Sequence, residues 1–326
     1  MFTSRFLIRA TFGICSLASA AAPMSALAQD TKPIEWVVGY AAGGGSDIVA
    51  RTVAEAMAQT LKQPIIVNNK PGAATNIAAD YVAKSKDPTH TLLTADFATL
   101  AANPSLFAKL PYDGEKDFAP IGMLARFPLL LVVAPNVPAK DFKEFVAWAK
   151  ANKGGTNYAS AGTGSPHHLA GELLRERTGL QLVHTPYRGA APAVQDLMGG
   201  QVPFGLIDTA SVQQYVTSGK LRAIGVASPK RLPTMPDVPT LVEQGLAGFE
   251  AYAWQGLVAP AAAPPEMVAR LNKVLVDALN STAVKARLQT LGLEALPGTP
   301  AKMMQYTQAE RERWGKLIKA NNIKLD

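Results

Sequence analysis

Cysteine and histidine are scarce in this sequence, whose 326 residues include one cysteine and four histidines. The cysteine, Cys15, lies in an N-terminal segment that we expect to be removed, which leaves neither a disulfide nor a thiolate ligand. His167 and His168 are adjacent, and neighbouring residues of a helix point about 100° apart, so they do not form a chelating pair. No HExxH motif is present. We therefore expect no metal site and no cofactor.

The sequence also lacks an apolar run long enough to cross a membrane, which takes about 20 residues. The apolar run from Ala10 to Ala22 is shorter than this, follows Arg5 and Arg9, and precedes Ala26-Leu27-Ala28. A basic start, a short apolar run and a small-x-small sequence are typical of a secretory signal. We predict a signal peptide over residues 1–28, cleaved after Ala28, and a periplasmic mature protein.

A strong excess of charge is missing as well. The net charge is +7, and removal of the signal takes away two arginines and no acid, which leaves +5 (7 − 2) over 298 residues (326 − 28). The densest basic patch, at Arg311, Arg313 and Lys316, falls in a helical pattern and is interpreted as a solvated helix face. We expect no nucleic-acid partner, and we expect a monomer.

The mature chain does contain short apolar strands that alternate with helical patterns, which predicts an α/β architecture with largely parallel sheets. The predicted strands are Ile34–Val38, Ile65–Asn68, Thr91–Ala95, Ile121–Ala125, Leu129–Ala134, Asn157–Ser160, Leu182–Thr185, Phe204–Asp208, Leu221–Ala227 and Gly256–Ala259. The predicted helices are Asp47–Leu61, Ala74–Ala83, Asp141–Asn152, Pro166–Thr178, Ala190–Met198, Ser211–Ser218 and Pro265–Ala320, the last with breaks near Ser281 and at Pro297-Gly298.

The stretch VVGYAAGGGSDIVAR, residues 37–51, passes from a strand through three glycines into a helix. Ser46 and Asp47 are residue types that accept hydrogen bonds from the free N–H groups of a first helical turn. The glycines at 43–45 let a ligand approach the main chain closely. A strand, a glycine turn and a helix N-terminus together form an anion site. A tight turn without a ligand is the equal alternative.

Neither nucleotide-binding motif fits this first glycine loop, which we define as residues 39–45. GxGxxG would need a last glycine where Ile48 stands, and a P-loop would need Gly-Lys-Ser/Thr where Ser46 precedes Asp47. An acidic residue at that point would repel a polyphosphate. The loop therefore favours a smaller anion, with a carboxylate as the natural candidate.

A second strand–glycine loop–helix unit is YASAGTGSPHHLAGELL, residues 158–174. Ser165 is a favourable N-cap and Pro166 stands at the first helical position, where proline is preferred. The second glycine loop, residues 161–165, includes Gly162 and Gly164. One such unit in each lobe would clamp an anion from both sides. The hydroxyl groups beside this helix N-terminus belong to Ser160, Thr163 and Ser165.

Three further polar residues are candidates for ligand contact. Arg188 could reach a carboxylate, although a solvent-facing arginine is the commoner outcome. Asp208 ends a predicted strand, where doubly wound sheets present ligand contacts, or it caps the following helix. Asp96 has the same two interpretations. A serine hydrolase is a competing hypothesis, but the GxSxG spacing is absent around Ser46 and Ser165.

Two apolar strands that end at prolines suggest how the lobes are joined. The strand that begins at Leu129 ends at Pro135, and the strand that begins at Gly256 ends at Pro260. Such a pair would suit a chain that leaves one lobe near residue 128 and returns near residue 254. We predict a discontinuous lobe 1, residues 29–128 plus 254–326, and a lobe 2 of residues 129–253, with a ligand cleft between them.

Taken together, these segments resemble the periplasmic receptors of tripartite tricarboxylate transporters, also called Bug receptors. The resemblance runs from about residue 33 to the C-terminus, and the order and spacing of its motifs are specific. The motifs are VVGYAAGGGSDIVAR, NNKPGAATNIAADYVAK, LAANPSLFAKLPYD, DFAPIGMLA, YASAGTGSPHHLAGELL, HTPYRGAAPAVQDLMGGQV, LRAIGVAS and LPTMPDVPTLVEQG.

The resemblance implies a two-lobed periplasmic-binding-protein fold, type II-like, with doubly wound lobes, no catalysis and a small carboxylate held between the lobes. The family's carboxylate contacts fall on segments that correspond here to residues 40–47 and 160–168, partly through water. The residues so implied are Tyr40, Ala42, Gly43, Gly44, Ser46, Asp47, Ser160, Thr163, Gly164, Ser165 and His168.

The chain departs from the family pattern near the expected cleft. Gly39-Tyr40-Ala41-Ala42 replaces Pro-Phe-Pro-Pro, and Ala74-Thr75 replaces Gly-Gly. Tyr187-Arg188-Gly189-Ala190 stands where Tyr-Lys-Gly-Gly is commoner, and Asp96 and Phe97 replace small residues. Tyr40, Phe97 and Trp254 would suit an aromatic or longer apolar acid, or else they belong to the core.

We therefore predict a receptor that binds a small organic mono- or dicarboxylate and delivers it to the permease subunits of a tripartite tricarboxylate-type transporter. One alternative is a secreted serine hydrolase that uses Ser46 or Ser165 with a histidine. Another is a ligand sensor that docks on a membrane kinase.

Overall fold

The computed structural model describes residues 1–2 and 32–325, which contain ten strands and ten α-helices. Almost all of the predicted signal peptide, including the cleavage after Ala28, lies outside the described residues. The strands are β1 (Ile34–Val38), β2 (Ile65–Asn69), β3 (Thr91–Asp96), β4 (Phe118–Val133), β5 (Thr156–Ser160), β6 (Leu182–Pro186), β7 (Phe204–Asp208), β8 (Arg222–Val226), β9 (Tyr252–Pro260) and β10 (Glu294–Ala295). The helices are α1 (Gly45–Leu61), α2 (Asn76–Ala83), α3 (Asn103–Leu106), α4 (Phe142–Ala151), α5 (Pro166–Thr178), α6 (Ala190–Met198), α7 (Thr209–Thr217), α8 (Pro265–Asn280), α9 (Thr282–Thr290) and α10 (Pro300–Ala320).

The strands form one mixed sheet in the order β2-β1-β3-β9-β4-β7-β5-β6, with β8 and β10 also paired to β4. Parallel pairing joins β1 to β2 and β3, and β5 to β6 and β7. The two central strands, β4 and β9, run antiparallel to each of their partners. The α/β prediction is confirmed. The prediction of largely parallel sheets is wrong at the centre, where the chain passes between the two outer sets of parallel strands.

Strand β4 takes the place of two predicted strands, Ile121–Ala125 and Leu129–Ala134. Its residues 118–128 pair with β9, and its residues 129–133 pair with β7, so the strand belongs to both halves of the sheet. The gap predicted between these two strands, at residues 126–128, does not occur, because the fixed φ of proline at Pro128 is compatible with an extended strand. Pro128 lies opposite Tyr252, the first residue of β9. The proposed lobe boundaries near residues 128 and 254 therefore fall inside paired strands.

Helix boundaries match the sequence pattern where the capping signals are local. Helices α5 and α6 begin and end at the predicted residues, whereas α1 begins at Gly45 instead of Asp47. A π-helical turn over Ala98–Ala102 continues into α3 and was not predicted. Every residue from 91 to 103 is buried, so this stretch has no polar face and no periodicity from which a helix could be recognised.

Helices cover both faces of the sheet and enclose three hydrophobic clusters. One cluster lies between the first half of the sheet and helices α1, α8 and α9. A second lies between the second half and helices α6 and α7. The third extends over the opposite face of both halves, beneath α2, α4, α5 and α10. The predicted apolar stripe of α1 is fully or almost fully buried, and it consists of Val49, Val53, Met57 and Leu61.

A left-handed turn precedes α2. The φ angles of Gly72, Ala73, Ala74 and Thr75 are 131°, 47°, 51° and 73°, and a left-handed conformation costs an L-residue roughly 1–2 kcal/mol. Two hydrogen bonds hold this turn: Asn103 Nδ2 donates to the carbonyl of Ala74 at 2.7 Å, and the hydroxyls of Thr75 and Thr99 lie 2.8 Å apart. Glycine adopts this conformation freely, which explains physically why the resembled family carries glycines at the positions of Ala74 and Thr75.

Candidate ligand site

The N-terminus of α1 carries backbone donors without acceptors. Gly44 is the N-cap, and no side chain caps the helix. The first backbone bond runs from the N–H of Ile48 to the carbonyl of Gly44 at 3.0 Å. In the part of the chain that the structure describes, the N–H groups of Gly45, Ser46 and Asp47 have no acceptor. Three free donors therefore lie at the positive end of the helix dipole.

Asp47 does not cap α1, although its residue type and position favoured that role. Its carboxylate accepts hydrogen bonds from the N–H of Gly43, Nε of Arg51 and Nδ2 of Asn69, each at 2.9 Å. Burial works to raise the pKa of Asp47, but these bonds outweigh burial and lower the pKa. The carboxylate thus stays ionised inside the first glycine loop and fixes its shape. Asn69, which also donates to the carbonyl of Tyr40, was not recognised from the sequence.

A buried carboxylate anchors the start of the same loop. The hydroxyl of Tyr40 donates to Asp96 Oδ2, and Asp96 Oδ1 accepts from the N–H and the hydroxyl of Thr99 at 3.0 and 2.8 Å. Burial is the largest cause that raises the pKa of Asp96, and burial followed by the Asp96 charge raises the pKa of Tyr40. Both oxygens of Asp96 are therefore occupied by the protein in this structure.

The end of the loop is attached to β9. Nε2 of Gln255 donates to Oγ of Ser46 at 2.5 Å. In register, Gln255 lies opposite Asp96 on the neighbouring strand. Gln255 thus holds Ser46, and Asp96 holds Tyr40. These two contacts lie on either side of the glycines at 43–45. The only sequence signal for Gln255 is a polar residue within the apolar stretch YAWQGLVAP.

The second glycine loop is held by groups of its own helix. Ser165 caps α5, as predicted, by accepting the N–H of His168 at 3.3 Å. Nδ1 of His168 accepts the N–H of Gly164 at 3.0 Å, and Nδ1 of His167 accepts the N–H of Ala161 at 3.3 Å. Because Nδ1 of His168 acts as an acceptor, this ring carries its proton on Nε2 when it is neutral. The two adjacent histidines therefore hold the second glycine loop in place by accepting its N–H groups.

Beneath this loop, His168 stacks on His184 with ring centroids 3.8 Å apart. Nε2 of His184 lies 2.6 Å from the hydroxyl of Ser160, which accepts the N–H of Gly162 at 3.1 Å. Burial, and to a smaller extent the charge of Arg175, lowers the pKa of His168 to about 4. Burial, and then His168, lowers the pKa of His184 to about 3. Both rings are therefore neutral near pH 7.

Asp208 occupies the position of a helix cap. Its Oδ1 accepts the N–H of Ser211 at the start of α7, and its Oδ2 lies 3.1 Å from Nε2 of His167. Burial works to raise the pKa of Asp208, but the hydrogen bonds from His167 and Ser211 lower it. Asp208 therefore caps α7. Through His167, the same carboxylate also links α7 to the second glycine loop.

The N-termini of helices α1, α5, α6 and α7 lie close together. A methyl group placed on Gly45 would lie 3.5 Å from Cβ of Ala210, so the starts of α1 and α7 are in contact range. The turn before α6 is bonded to the start of the second glycine loop, because Tyr187 donates to the carbonyl of Ser160 and Gly189 to that of Ala161. The structure therefore brings the two predicted loops and the Arg188 turn to one region of the molecule.

The remaining predicted site residues divide into exposed and buried groups. Ala42, Gly43, Gly44 and Arg188 are exposed, and Thr163 is partly exposed. Within residues 32–325, neither Thr163 nor Arg188 has a hydrogen-bond or ion-pair partner, so both could contact a ligand.

Phe97 and Trp254 are each 1 % exposed and pack edge to face, and Phe97 also packs against Trp314. Nε1 of Trp254 donates to Glu310. This placement favours the core interpretation of both aromatic residues. Their contact with a ligand stays a prediction.

The arrangement of serines and histidines does not form a nucleophile. Ser165 bonds to the carbonyl of Gly162 and to the N–H of His168, and Ser46 bonds to Gln255. Ser160 does pair with His184, but Ser160 is fully buried. Among the residues the structure describes, no group of three or more His, Cys, Asp or Glu side chains could hold a metal ion.

Comparison with known proteins places this geometry in context. Residues 49–323 match the family described as "Tripartite tricarboxylate transporter family receptor". Protein BugT of Bordetella pertussis is 34 % identical over 309 residues, which cover 94 % of this chain and 95 % of BugT.

Two solved structures contain ligands. MatC from Rhodopseudomonas palustris with bound malate is 36 % identical, covers 89 % of this chain and 99 % of its own, and has a TM-score of 0.80. Another R. palustris protein, solved with adipate, is 30 % identical, covers 91 % of this chain and 99 % of its own, and has a TM-score of 0.86.

Proposed function

The chain belongs to the tripartite tricarboxylate transporter receptor family, whose members are solute-binding receptors and not enzymes, and we propose that it captures a small organic mono- or dicarboxylate at the converging helix N-termini. The carboxylate lies against the start of α1 and is closed in by the second glycine loop and the turn before α6. The receptor then delivers its ligand to the permease subunits of a tripartite tricarboxylate-type transporter.

The uncapped N-terminus of α1 is the observation that carries this proposal. Its three N–H groups have no acceptor in the described part of the chain, although the helix is 17 residues long. Side chains cap α4, α5, α7, α9 and α10, whereas α1, α2, α3, α6 and α8 have no side-chain cap. An anion at a helix N-terminus is stabilised by such donors and by the dipole. The adjacent Asp47 carboxylate disfavours a polyphosphate, which supports a small carboxylate.

The ligands of the structural relatives agree with this chemistry. Malate and adipate are both small dicarboxylates, and each was found in a structure that covers about nine tenths of this chain. Tyr40 and Asp96, which hold the first glycine loop, differ from the family pattern, and so does the buried Phe97 beside Asp96. The ligand of this receptor therefore need not be either of these two acids.

Capture between lobes 1 and 2 follows from the same proposal. Lobe 1, residues 29–128 plus 254–326, supplies the α1 N-terminus, and lobe 2, residues 129–253, supplies the second glycine loop and the starts of α6 and α7. We also propose that the receptor is exported to the periplasm after cleavage at Ala28, which a solved relative described as periplasmic binding protein BugD, 35 % identical to this chain, supports.

The test is a thermal-shift screen of the mature protein against mono- and dicarboxylic acids, followed by calorimetric titration of those that stabilise it. A ligand at a hundred times its dissociation constant stabilises the folded state by about 2.7 kcal/mol, which is easily measured. We expect saturable binding of one ligand per protein without turnover. Absence of binding across the panel, or release of a product, would contradict the proposal.

A further inference from the structure

A buried amide beside the α1 N-terminus has an unpaired acceptor. Gln255 is 3 % exposed, and its Nε2 donates to Ser46. Its Oε1 is also buried and has no hydrogen-bond partner among the described residues. A buried acceptor without a donor destabilises a protein, so such atoms are uncommon and need an explanation.

The bond from Gln255 also determines what Ser46 can offer. A hydroxyl has one hydrogen to donate and an oxygen that accepts. Because Nε2 of Gln255 donates to the oxygen of Ser46, the hydroxyl hydrogen remains available for a further acceptor. The start of α1 therefore combines several donors, namely three N–H groups and one O–H, with the unpaired side-chain acceptor of Gln255.

This combination selects a particular kind of carboxylate. The carboxylate oxygens of a ligand can use the donors, but the Gln255 acceptor needs a hydrogen-bond donor on the same ligand. In a small acid, the donor nearest to the carboxylate is a substituent on the adjacent carbon. A hydroxyl suits this place better than an ammonium group, because no carboxylate there is free to balance its charge. Asp47 and Asp96 are already bonded to Arg51, Asn69, Tyr40 and Thr99.

We propose that the ligand is a 2-hydroxycarboxylate whose hydroxyl donates to Oε1 of Gln255. Its carboxylate accepts from the start of α1 and from the hydroxyl of Ser46. This inference rests on the proposed function and adds the substrate class. It makes Gln255 a specificity-determining residue and Ser46 a contributor to affinity.

Matched acids that differ only in the hydroxyl test the substrate class directly. Suitable pairs are malate against succinate, 2-hydroxyglutarate against glutarate, and lactate against propionate, each hydroxy acid in both enantiomers. In calorimetric titrations of the unmodified mature protein, the hydroxy acid of at least one pair should bind about tenfold or more tightly than its partner, because the partner leaves the acceptor unpaired.

Variants then assign the preference to Gln255. Gln255→Leu and Gln255→Met remove the acceptor while they keep most of the side-chain volume, and they should reduce the affinity ratio of the pair to about one. Ser46→Ala should weaken both acids of a pair by a similar factor and keep their ratio. Tyr252→Phe is the control: its hydroxyl is another buried atom without a partner, on the same strand, and its removal should leave the ratio unchanged.

The outcomes separate this inference from the proposed function. If no carboxylate binds, the proposed function itself is wrong. If carboxylates bind but the hydroxyl adds nothing, or if the preference persists in both Gln255 variants, the substrate class is wrong and the receptor function stands. Tighter binding of aspartate than of malate would also overturn the hydroxyl assignment. The comparison of acids on the unmodified protein decides the question even if the variants fail to fold.

Discussion

The imidazole of His168 lies directly on that of His184, with ring centroids 3.8 Å apart, and each ring holds one part of the second glycine loop. His168 accepts a hydrogen bond from the loop at Nδ1, and a protonated ring could not do so. The stacked pair therefore makes the shape of the loop dependent on two neutral histidines.

Acid should consequently destabilise the fold through this pair. An unperturbed histidine has a pKa near 6.5, whereas burial lowers the pKa of His168 to about 4 and that of His184 to about 3. Below pH 6.5 the unfolded chain binds protons that the folded chain does not, so the free energy of unfolding falls as the pH falls from 7 toward 4. The His168 ring alone accounts for about 2 kcal/mol between pH 7 and pH 5.

Urea denaturation at pH 7, 6 and 5 measures this loss. His168→Asn places an amide oxygen near the position of Nδ1. His184→Gln places an amide group, which can accept or donate, near the position of Nε2. Both variants thus keep the hydrogen-bonding group without a titrating ring. Each variant should lose less stability between pH 7 and pH 5 than the unmodified protein. An unchanged pH dependence in both variants would show that the pair does not control acid stability.

Removal of the Tyr40 hydroxyl should destabilise the protein. Tyr40→Phe leaves an oxygen of the buried Asp96 carboxylate without its donor, and hydrogen bonds to charged groups contribute about 1.5–3 kcal/mol. Tyr81→Phe is the matched control, because its hydroxyl donates to Glu35 at an exposed position and its loss should cost less than about 0.5 kcal/mol. Chemical denaturation at pH 8 compares the two variants. Equal effects would mean that Asp96 finds another donor.

A side chain on Gly44 should abolish ligand binding while the fold survives. Gly44 has an extended conformation, and a methyl group there would meet only the carbonyl of Ala41, at 3.6 Å. Gly44→Val should therefore shift the melting temperature by only a few degrees, but it should weaken binding of the best acid from the screen at least tenfold. Gly154→Val, at an exposed glycine with similar free space, should bind normally. Full affinity in folded Gly44→Val would move the site away from this loop.

The affinity for a carboxylate should depend little on salt. The two glycine loops contain no lysine or arginine, so backbone dipoles and hydroxyls hold the charge, and a closed site is poorly screened by external ions. Arg188→Ala should then cost less affinity than Gly44→Val. Calorimetric titrations between low and moderate salt, for the unmodified protein and for Arg188→Ala, measure both effects. A steep decrease in affinity with salt, or complete loss in Arg188→Ala, would show that an ion pair holds the ligand.

Ligand binding should also make the molecule more compact. The two glycine loops belong to different proposed lobes, and closure of these lobes around an acid would reduce the radius of gyration. Solution scattering with and without a saturating ligand measures this change. Identical curves under saturation would exclude closure.

The sequence predicted those parts of the site that depend on local order. Ser165 as N-cap and Pro166 as first helical residue predicted the start of α5 correctly. The short apolar runs predicted β1 and β7 at their observed residues. The predicted capping of α1 by Asp47 was wrong, because the Asp47 carboxylate accepts hydrogen bonds from Arg51 and Asn69 instead of from the first helical turn.

Partners from distant segments could not be predicted. Gln255 and Ser46 are 209 positions apart, and no local pattern couples them. His184 likewise meets His168 only because β6 lies beside β5 in the sheet. The continuous strand β4 was predicted as two strands with a gap at residues 126–128, because the polar Arg126 and Pro128 interrupt the apolar pattern although both are tolerated in an extended chain.

The continuity of β4 has a mechanical consequence. Sixteen residues at about 3.3 Å each form a rod of roughly 50 Å, which is hydrogen-bonded in both halves of the sheet. Any movement of one half against the other must bend or twist this rod, because no slack linker interrupts it. A bent strand stores elastic energy, so closure of the two proposed lobes would strain β4. Part of the binding free energy of a ligand would then be spent on bending β4, and release of that strain would favour the open form once the ligand has left.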